Sequence, residues 1–114
     1  MSEFTLIRYR LKPGKKEVVY EWTETVQSRR EEAVQTLKDE AVYSEAAFLE
    51  SRQDGDYICF FMEADDLETA QKAAEQSSRD IDQEFQQLLT EIIAEEQPTE
   101  QIDPLYLLKN PNRT

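Results

Sequence analysis

Two arginines near the start of the chain have the type and spacing expected of an anion-binding site. Arg8 and Arg10 stand two residues apart in an alternating segment, so in a β-strand both side chains project from one face. Paired guanidinium groups bind a carboxylate or a phosphate through parallel hydrogen bonds. The alternative is that each arginine pairs with a carboxylate of a neighbouring element, or lies in solvent, without a binding role.

Glu45 and Tyr57 complete the set of ligand-binding candidates. Tyr57 begins a strongly strand-like apolar run, and Glu45 belongs to the segment that precedes this run. A carboxyl group that points into an apolar interior has a raised pKa and can act as a general acid or base. Glu50 lies in the same segment and has the same chemistry. The sequence alone does not decide which carboxyl group points inward.

Structural roles are the simpler explanation for the next group of side chains. Arg29 and Arg30 interrupt the apolar stripe of a predicted helix. We expect one of them to form an ion pair with a carboxylate such as Glu45 or Glu50, and an anion site is the alternative. Trp22 lies on the same apolar stripe and is expected to pack in the core.

A run of acidic residues and the lone cysteine are also explained by structure. Asp65 and Glu68 have the spacing of a capping box at the start of a helix. Cys59 lies among bulky apolar residues, so we expect a small buried hydrophobe rather than a nucleophile. Acidic side chains are favoured at a helix start, and we therefore predict no metal site. The acidic residues concerned are Glu63, Asp65, Asp66 and Glu68.

The composition excludes several classes of protein. The chain has 114 residues, with 13 Lys and Arg against 25 Asp and Glu, which gives a net charge of −12 and argues against nucleic-acid binding. One Cys and no His exclude an internal disulfide, His-based catalysis and His-ligated zinc or haem, and we expect no cofactor. No apolar run is long enough to span a membrane, and the first residues lack signal-peptide features. We therefore expect a cytoplasmic protein without membrane contact.

The charge is unevenly distributed along the chain. Residues 1–38 hold 8 basic and 6 acidic side chains, a net charge of +2, whereas residues 39–114 hold 5 and 19, a net charge of −14. A solvated acidic surface that favours solubility is the simplest interpretation, and an origin in a salty cytoplasm is the alternative.

The order of the predicted elements indicates the fold. Strand, helix, two hairpin strands, helices and a last strand form the βαββαβ plan of a ferredoxin-like α+β sandwich with an antiparallel sheet and an extra helix. We predict one domain over residues 1–109. The predicted elements are a strand at 3–12, a helix at 15–38, hairpin strands at 42–52 and 56–63 around Asp54-Gly55, a helix that begins at Asp65, an extra helix over 81–96 that ends at Gln97-Pro98, a polar connection at 98–103, a strand at 105–108 and a flexible tail at 110–114.

Two predicted strands are apolar on both faces. Residues 57–62 and 105–108 have apolar side chains at successive positions, and such strands require cover on both sides. The helices can cover one face of the sheet. The other face needs a partner, a ligand or the extra helix over 81–96. We predict a homodimer in which sheet faces sheet, and the alternative is a monomer whose exposed sheet face binds another protein.

Five short segments carry a family resemblance through their order and spacing. They are Leu11-Lys12-Pro13-Gly14-Lys15, Arg29-Arg30-Glu31-Glu32-Ala33, Glu45-Ala46-Ala47-Phe48-Leu49-Glu50, Asp54-Gly55-Asp56-Tyr57 and Met62-Glu63-Ala64-Asp65-Asp66-Leu67. Together, over about residues 3–95, the chain resembles a small family of uncharacterised proteins of the dimeric α+β barrel class, which also contains the antibiotic-biosynthesis monooxygenases. The resemblance implies two sheets around a central space, and it implies no activity. It also implies a His after the Ile81-Asp82 pair, where this chain has Gln83.

Three functions follow from these observations. The first is a homodimeric α+β barrel protein that binds a small molecule between its sheet faces. The second is a cofactor-independent enzyme, monooxygenase-like or isomerase-like, that acts on a small anionic or aromatic substrate. Its contributing residues would be Arg8, Arg10, Glu45 and Tyr57. The third is a partner-binding module that uses the exposed sheet face.

Overall fold

The computed structural model describes residues 2–94 and 99–112. In these residues the order is a strand, two helices, two strands, two helices and a strand, which confirms the predicted ferredoxin-like α+β plan with an extra helix. The extra helix ends at Ile92, so its predicted extension to residue 96 is wrong, because Ile93 is extended and pairs with Leu11. Residues 95–98, which include the predicted helix end at Gln97-Pro98, and the tail residues 113–114 lie outside the described residues. The elements are β1 (Glu3–Arg10), α1 (Lys16–Ser28), α2 (Arg30–Glu40), β2 (Val42–Arg52), β3 (Gly55–Ala64), α3 (Leu67–Glu75), α4 (Asp80–Ile92) and β4 (Glu100–Ile102).

The strands form one antiparallel sheet in the order β2-β3-β1-β4. The two central strands, β1 and β3, place Arg8 opposite Cys59 and Arg10 opposite Tyr57. The predicted hairpin joins β2 to β3, but its two turn residues are Gln53 and Asp54, one residue earlier than predicted, because Gly55 already pairs with Arg52. Gly55 has a φ of 146° there, a conformation that side chains with a Cβ rarely adopt. The sheet therefore brings two distant segments of candidate residues side by side.

The helices pack on one face of this sheet. Val19 of α1 and Ile92 of α4 enclose Ile58 of β3 in one buried cluster. A second cluster joins Val42 and Ala64 to α3 near the other end of the sheet. Burial of these apolar side chains is the main favourable contribution to the fold. Among the described residues, no helix has the length and apolar character needed to cross a bilayer.

The prediction of one helix over 15–38 is wrong, because the chain divides into α1 and α2. Arg29 leaves the helical conformation, with φ −114° and ψ 38°. Immediately before it, the Thr25 hydroxyl donates to the carbonyl of Glu21, and the Ser28 hydroxyl donates to the carbonyl of Thr25. Such bonds from side chain to backbone bend and weaken a helix, which explains a break that contains neither Gly nor Pro.

The predicted last strand over 105–108 and the polar connection over 98–103 are also wrong. The strand is β4, which lies within that predicted connection and pairs with residues 6–8 of β1. Asp103 separates Pro104 from the end of β4. Because Pro104 has no N–H to donate, strand pairing stops before the apolar run. Residues 103–110, the C-terminal arm, leave the sheet without regular structure. Leu105 and Leu108 of this arm are 87% and 83% exposed.

One face of the sheet lies opposite the helices and is named the open face. The extra helix does not cover it, because Ile92 of α4 belongs to the core on the other side. Of the three covers predicted for this face, the extra helix is therefore excluded, and a partner or a ligand remains. Strand by strand, the open-face side chains are Phe4, Leu6, Arg8 and Arg10, then Ser44, Ala46, Phe48, Glu50 and Arg52, then Tyr57, Cys59, Phe61 and Glu63, and finally Glu100 and Ile102.

Candidate functional site

Three of the four predicted ligand-binding residues lie together on the open face. Arg8 and Arg10 project from β1 on the side opposite Tyr9, which packs against the helix-side core. Tyr57 lies directly across from Arg10 on β3. The two-residue alternation of a strand, together with the antiparallel register, therefore assembles this group from segments about fifty residues apart.

The Tyr57 ring is the centre of the group, and only 6% of the residue is exposed. The guanidinium carbons of Arg8, Arg10 and Arg52 lie 5.9, 5.5 and 5.4 Å from the ring centroid. At such distances a cation is attracted by the electron-rich face of the ring. These four residues are named the arginine–tyrosine cluster. Arg52 was not among the sequence candidates, although its place two residues after Glu50 in the predicted hairpin could have indicated the shared face.

Hydrogen bonds to the hairpin turn fix one side of the cluster. The Tyr57 hydroxyl donates to Asp54 Oδ2 at 2.7 Å, and Arg10 Nη1 donates to the Tyr57 hydroxyl at 3.1 Å. The Arg10 guanidinium also donates to the Asp54 backbone carbonyl. The hydrogen bond to Asp54 raises the pKa of Tyr57, and the same bond lowers the pKa of Asp54. The hydroxyl therefore stays protonated and the carboxylate stays charged near neutral pH.

Arg8 is held by carboxylates on both sides. Its Nη1 donates to Glu100 Oε2 at 3.0 Å, and this bond is the chief reason that the pKa of Arg8 is raised. Its Nε lies 2.9 Å from Glu50 Oε1, but both atoms are buried and make no hydrogen bond, because the approach is poorly aligned. The alternative foreseen for Arg8, pairing with neighbouring carboxylates, is thus realised, and the contact of its Nε with Glu50 is an ion pair without an aligned hydrogen bond.

Arg52 differs from the other two arginines of the cluster. Among the described residues, no carboxylate lies within ion-pair distance of its guanidinium, whereas Arg8 and Arg10 each have one or two. Its guanidinium group lies near the buried Tyr57 ring, and the residue itself is exposed. An aromatic surface orients a guanidinium without neutralising it. The cluster therefore presents a positive group in a chain whose net charge is −12.

An apolar surface continues from the cluster along the strands. Cys59 lies opposite Arg8, and Phe48 lies opposite Cys59 on the edge strand with 55% of its surface exposed. Two residues further along, Leu6 faces Phe61. These four residues are named the apolar band. The open face thus changes from arginine at the hairpin end to hydrocarbon in the middle.

The far end of the open face is acidic but closed. The Glu63 side chain is only 5% exposed, and it accepts a bond from Lys109 of the C-terminal arm at 2.5 Å. The hydroxyls of Ser2 and Ser44 donate to the same carboxylate. The bond from Lys109 is the first cause of the lowered pKa of Glu63. The arm therefore crosses this end of the sheet and neutralises a buried charge.

Glu45, the fourth predicted ligand-binding residue, lies on the opposite face from the other three. It pairs with Met62 on the helix side of the sheet, where partial burial first, and Asp82 next, raise its pKa, although its position on the edge strand keeps it exposed to solvent. The nearby Glu40, at the end of α2, is 6% exposed and has its pKa raised to about 7. Neither carboxyl group is on the face of the arginine–tyrosine cluster.

The other sequence candidates have structural partners. Arg29 pairs with Glu32 at 2.8 Å and with Glu84 at 2.6 Å, so the ion pair expected with Glu45 or Glu50 is wrong. The reason is the break before α2, which turns Arg29 toward its own helix and α4. Trp22 is half-buried and stacks on the Phe85 ring with a centroid distance of 5.7 Å, on the helix side.

The acidic run at the start of α3 serves local structure. The Asp66 carboxylate caps the helix by accepting from the Thr69 amide at 3.2 Å, so the predicted cap at Asp65 is wrong by one residue. Asp65 instead accepts a bond from the Tyr43 hydroxyl. Among the described residues, no three such side chains are placed to hold a metal ion.

Comparison with known families gives one match. The model of a family of unknown function, DUF6176, matches residues 2–113 of this chain. No curated protein matches it.

Solved structures similar to this one have the same fold. A candidate monooxygenase from Fusobacterium nucleatum has a TM-score of 0.59 at 13% identity, covering 90% of this chain and 43% of its own. The present chain thus spans less than half of that protein. A candidate antibiotic biosynthesis monooxygenase from Nitrosomonas europaea has a TM-score of 0.58 at 15% identity, covering 89% and 86%. An uncharacterised NIPSNAP domain protein from Burkholderia xenovorans has a TM-score of 0.55 at 16% identity, covering 96% and 100%.

Proposed function

The chain belongs to the DUF6176 family of unknown function, and from this premise we propose that it is a homodimer that binds a small molecule between its open faces. The observation that supports this proposal best is the arginine–tyrosine cluster beside the apolar band. We also propose that residues 1–109 act as one domain in the cytoplasm. Arg8, Arg10 and Tyr57 are the proposed ligand-binding residues, with Arg52 added to them.

The apolar surface of the open face supports the dimer. Phe48 is more than half exposed, and Leu105, Tyr106 and Leu108 of the neighbouring arm are exposed as well. A sheet face of this kind is stable in water when a second layer covers it. A two-fold dimer supplies that layer with one surface used twice.

The cluster supports a ligand between the two faces. Arginines that serve only the dimer would be satisfied by carboxylates, as Arg10 is by Asp54. Arg52 has no such partner among the described residues, and the Nε of Arg8 lies 2.9 Å from Glu50 Oε1 without an aligned hydrogen bond. A bound anion would give these donors aligned, charge-assisted hydrogen bonds. The site can therefore donate further hydrogen bonds to a small molecule.

An enzyme is the second candidate, and the names of two structural neighbours favour it. Both are described as monooxygenases, although the likeness of this chain to them extends to the fold alone. In such an enzyme Tyr57, held between Arg10 and Asp54, is the proton-bearing group nearest the site. Glu45 lies on the other face of the sheet and does not assist it. Binding without chemistry therefore has the stronger support.

Sedimentation equilibrium of the full chain tests the dimer. We expect a dimer for the unmodified protein and a monomer for Phe48→Glu, because a carboxylate placed in the apolar band is desolvated by the partner sheet. Tyr20→Glu is the matched control, since Tyr20 is an exposed aromatic residue on α1. This control is expected to remain dimeric. A monomeric unmodified chain would refute the dimer and favour the partner-binding module. Equal dissociation of the two variants would instead refute an interface on the open face.

A further inference from the structure

We infer that the ligand of the open face is a monocarboxylate with an apolar body, an inference that rests on the function proposed above. Its carboxylate lies at Arg8 and Arg52, and its body extends over the apolar band toward Leu6 and Phe61. The class of ligand and its orientation both follow from the order of charged and apolar side chains along the strands.

The head group is assigned from the present partners of Arg8. Two carboxylates already flank this guanidinium, and Glu100 forms a charge-assisted hydrogen bond with it. Both carboxylates are more exposed than the arginine, with 37% and 50% against 21% of the side chain. The two carboxylates can therefore turn into solvent, while the Arg8 guanidinium keeps its position. Its donors are then available to another carboxylate. A ligand carboxylate replaces them with the same chemistry and can satisfy the buried Nε.

Arg52 supplies the charge that makes this exchange favourable. Glu50 and Glu100 place two negative charges beside the single positive charge of Arg8. Arg52, in contrast, has no carboxylate partner among the described residues. Both guanidinium groups lie within 6 Å of the centre of the same Tyr57 ring. A ligand carboxylate beside that ring would therefore lie near two guanidinium groups, that of Arg8 on β1 and that of Arg52 on β2, and their packing against the ring reduces the entropy cost of binding.

The body of the ligand is assigned from the side chains that follow along the strands. Leu6 and Phe4 lie two and four residues before Arg8 on β1, which corresponds to ~7 and ~13 Å along the strand. The Phe4 and Phe61 rings are 6.5 Å apart and extend this apolar surface. A hydrocarbon chain or ring attached to the carboxylate therefore loses contact with water along its length.

The far end of the open face excludes a second negative group. Glu63 is a buried carboxylate, and its oxygens already accept bonds from Lys109, Ser2 and Ser44. A ligand with an anionic group at each end would place the second group near this charge without a free donor. The site therefore selects a single carboxylate with an apolar end.

Calorimetric titration with four probes of similar length tests this assignment. We expect octanoate to bind, and octanamide, which has the same shape but no charge, to bind at least ~10-fold more weakly because charge-assisted bonds are lost. Suberate has a second carboxylate, and it is expected to bind more weakly than octanoate because that carboxylate would lie near the buried charge of Glu63. Octyl phosphate distinguishes the head groups, and it is expected to be weaker than octanoate because its additional negative charge would face Glu50 and Glu100. Equal or tighter binding of any of the three overturns the assignment.

A pair of charge-matched variants tests the place of the head group. Arg52→Gln is expected to weaken octanoate binding several-fold to ~10-fold, whereas Arg30→Gln, an equal loss of charge on an exposed position of α2, is expected to leave it unchanged. Both positions are exposed, so both variants are expected to fold. Equal effects of the two variants overturn the place of the head group. A dimer that binds none of the probes overturns this inference alone, whereas a monomeric chain overturns the proposed function.

Discussion

Glu40→Gln is expected to stabilise the protein above neutral pH and to remove part of its pH dependence. Glu40 is the last residue of α2 and is 6% exposed. Burial first, and then the neighbouring charge of Asp82, raises the pKa of its carboxyl group from 4.5 to about 7. Its other acidic neighbours are Glu45 and Asp39, and Arg79 is paired with Asp39. The native state therefore holds a proton that the unfolded chain releases.

The sign and the size of the effect follow from this difference in pKa. A carboxyl group whose folded pKa is raised gives a stabilisation that is complete below its unfolded pKa and is lost as pH rises through the folded pKa. The window therefore runs from about pH 4.5 to about pH 7. A difference of about 2.5 units corresponds to ~3 kcal/mol at most, and water near the carboxyl group reduces this to ~1–3 kcal/mol.

The protonated carboxyl group also has a structural partner. Asp82 Oδ2 is buried and accepts no hydrogen bond from an N–H or hydroxyl group of the described residues. A proton on Glu40 supplies a donor for the Asp82 carboxylate, and an amide at position 40 supplies one at every pH. The substitution therefore keeps the link between α2 and α4 when the natural carboxyl group would lose its proton.

Urea unfolding between about pH 5 and about pH 8 checks this expectation. The free energy of unfolding of Glu40→Gln should exceed that of the unmodified protein by ~1–3 kcal/mol at the alkaline end, and the two should converge at the acidic end. Glu31→Gln on the exposed side of α2 is the control and should leave the pH dependence unchanged. A difference between Glu40→Gln and the unmodified protein that is the same at every pH would refute the reasoning.

Three further outcomes are expected. Gly55→Ala should lower the free energy of unfolding by ~1–3 kcal/mol in chemical denaturation, because a Cβ there would lie 2.7 Å from Arg10 Nη2 at a positive φ. Gly14→Ala, where φ is also positive but no atom lies within 4 Å, should cost less, and an equal cost would contradict the contact. Lys109→Met should lower the free energy of unfolding by ~1–3 kcal/mol at neutral pH and by less in acid, because the stabilisation that comes from the lowered pKa of Glu63 is lost as pH falls. The measurement is the thermal unfolding midpoint as a function of pH. The same difference between variant and unmodified protein in acid and at neutral pH would contradict this. The proposed dimer, with two chains of charge −12, should dissociate more readily as the screening length rises from ~3 Å at 1 M salt to ~30 Å at 0.01 M, and a salt-independent sedimentation equilibrium would remove repulsion from the account.

The fold was predictable from the sequence wherever the pattern was local. The alternation from Phe4 to Leu11 separates the arginines from Tyr9 as expected. The hairpin also forms as expected, with its turn one residue earlier than the predicted Asp54-Gly55 pair. The break at Arg29 and the position of β4 were not predictable in this way. One depends on hydroxyl groups that compete for helical carbonyls, and the other depends on which short segment finds the free edge of β1.

The site was predictable only in part, although the hairpin register already separates Glu45 from the arginine–tyrosine cluster. Glu50 lies opposite Tyr57 and Glu45 lies opposite Met62, so strict alternation back from the turn places Glu45 on the helix side. The β-bulge between Val42 and Ser44, with Tyr43 as the additional residue, changes the face of Val42 and not that of Glu45. What the local sequence does not indicate is the approach of Arg52 to the Tyr57 ring and the partners of the arginines, which depend on how the strands assemble.

The arginine–tyrosine cluster is built before any ligand arrives, and this property links the fold to the proposed binding. Its arginines have their guanidinium groups near a tyrosine ring that is 6% exposed, and the turn at Asp54 fixes the hydroxyl of that ring. Arginines that pack in this way have already lost side-chain freedom during folding, so binding an anion costs them little further entropy. The same packing is stable without a ligand, because Arg8 and Arg10 have carboxylate partners of their own. In the proposed binding, a ligand carboxylate therefore exchanges with the carboxylate partners of Arg8 and adds a first carboxylate partner to Arg52, while the pairing of Arg10 with Asp54 is kept.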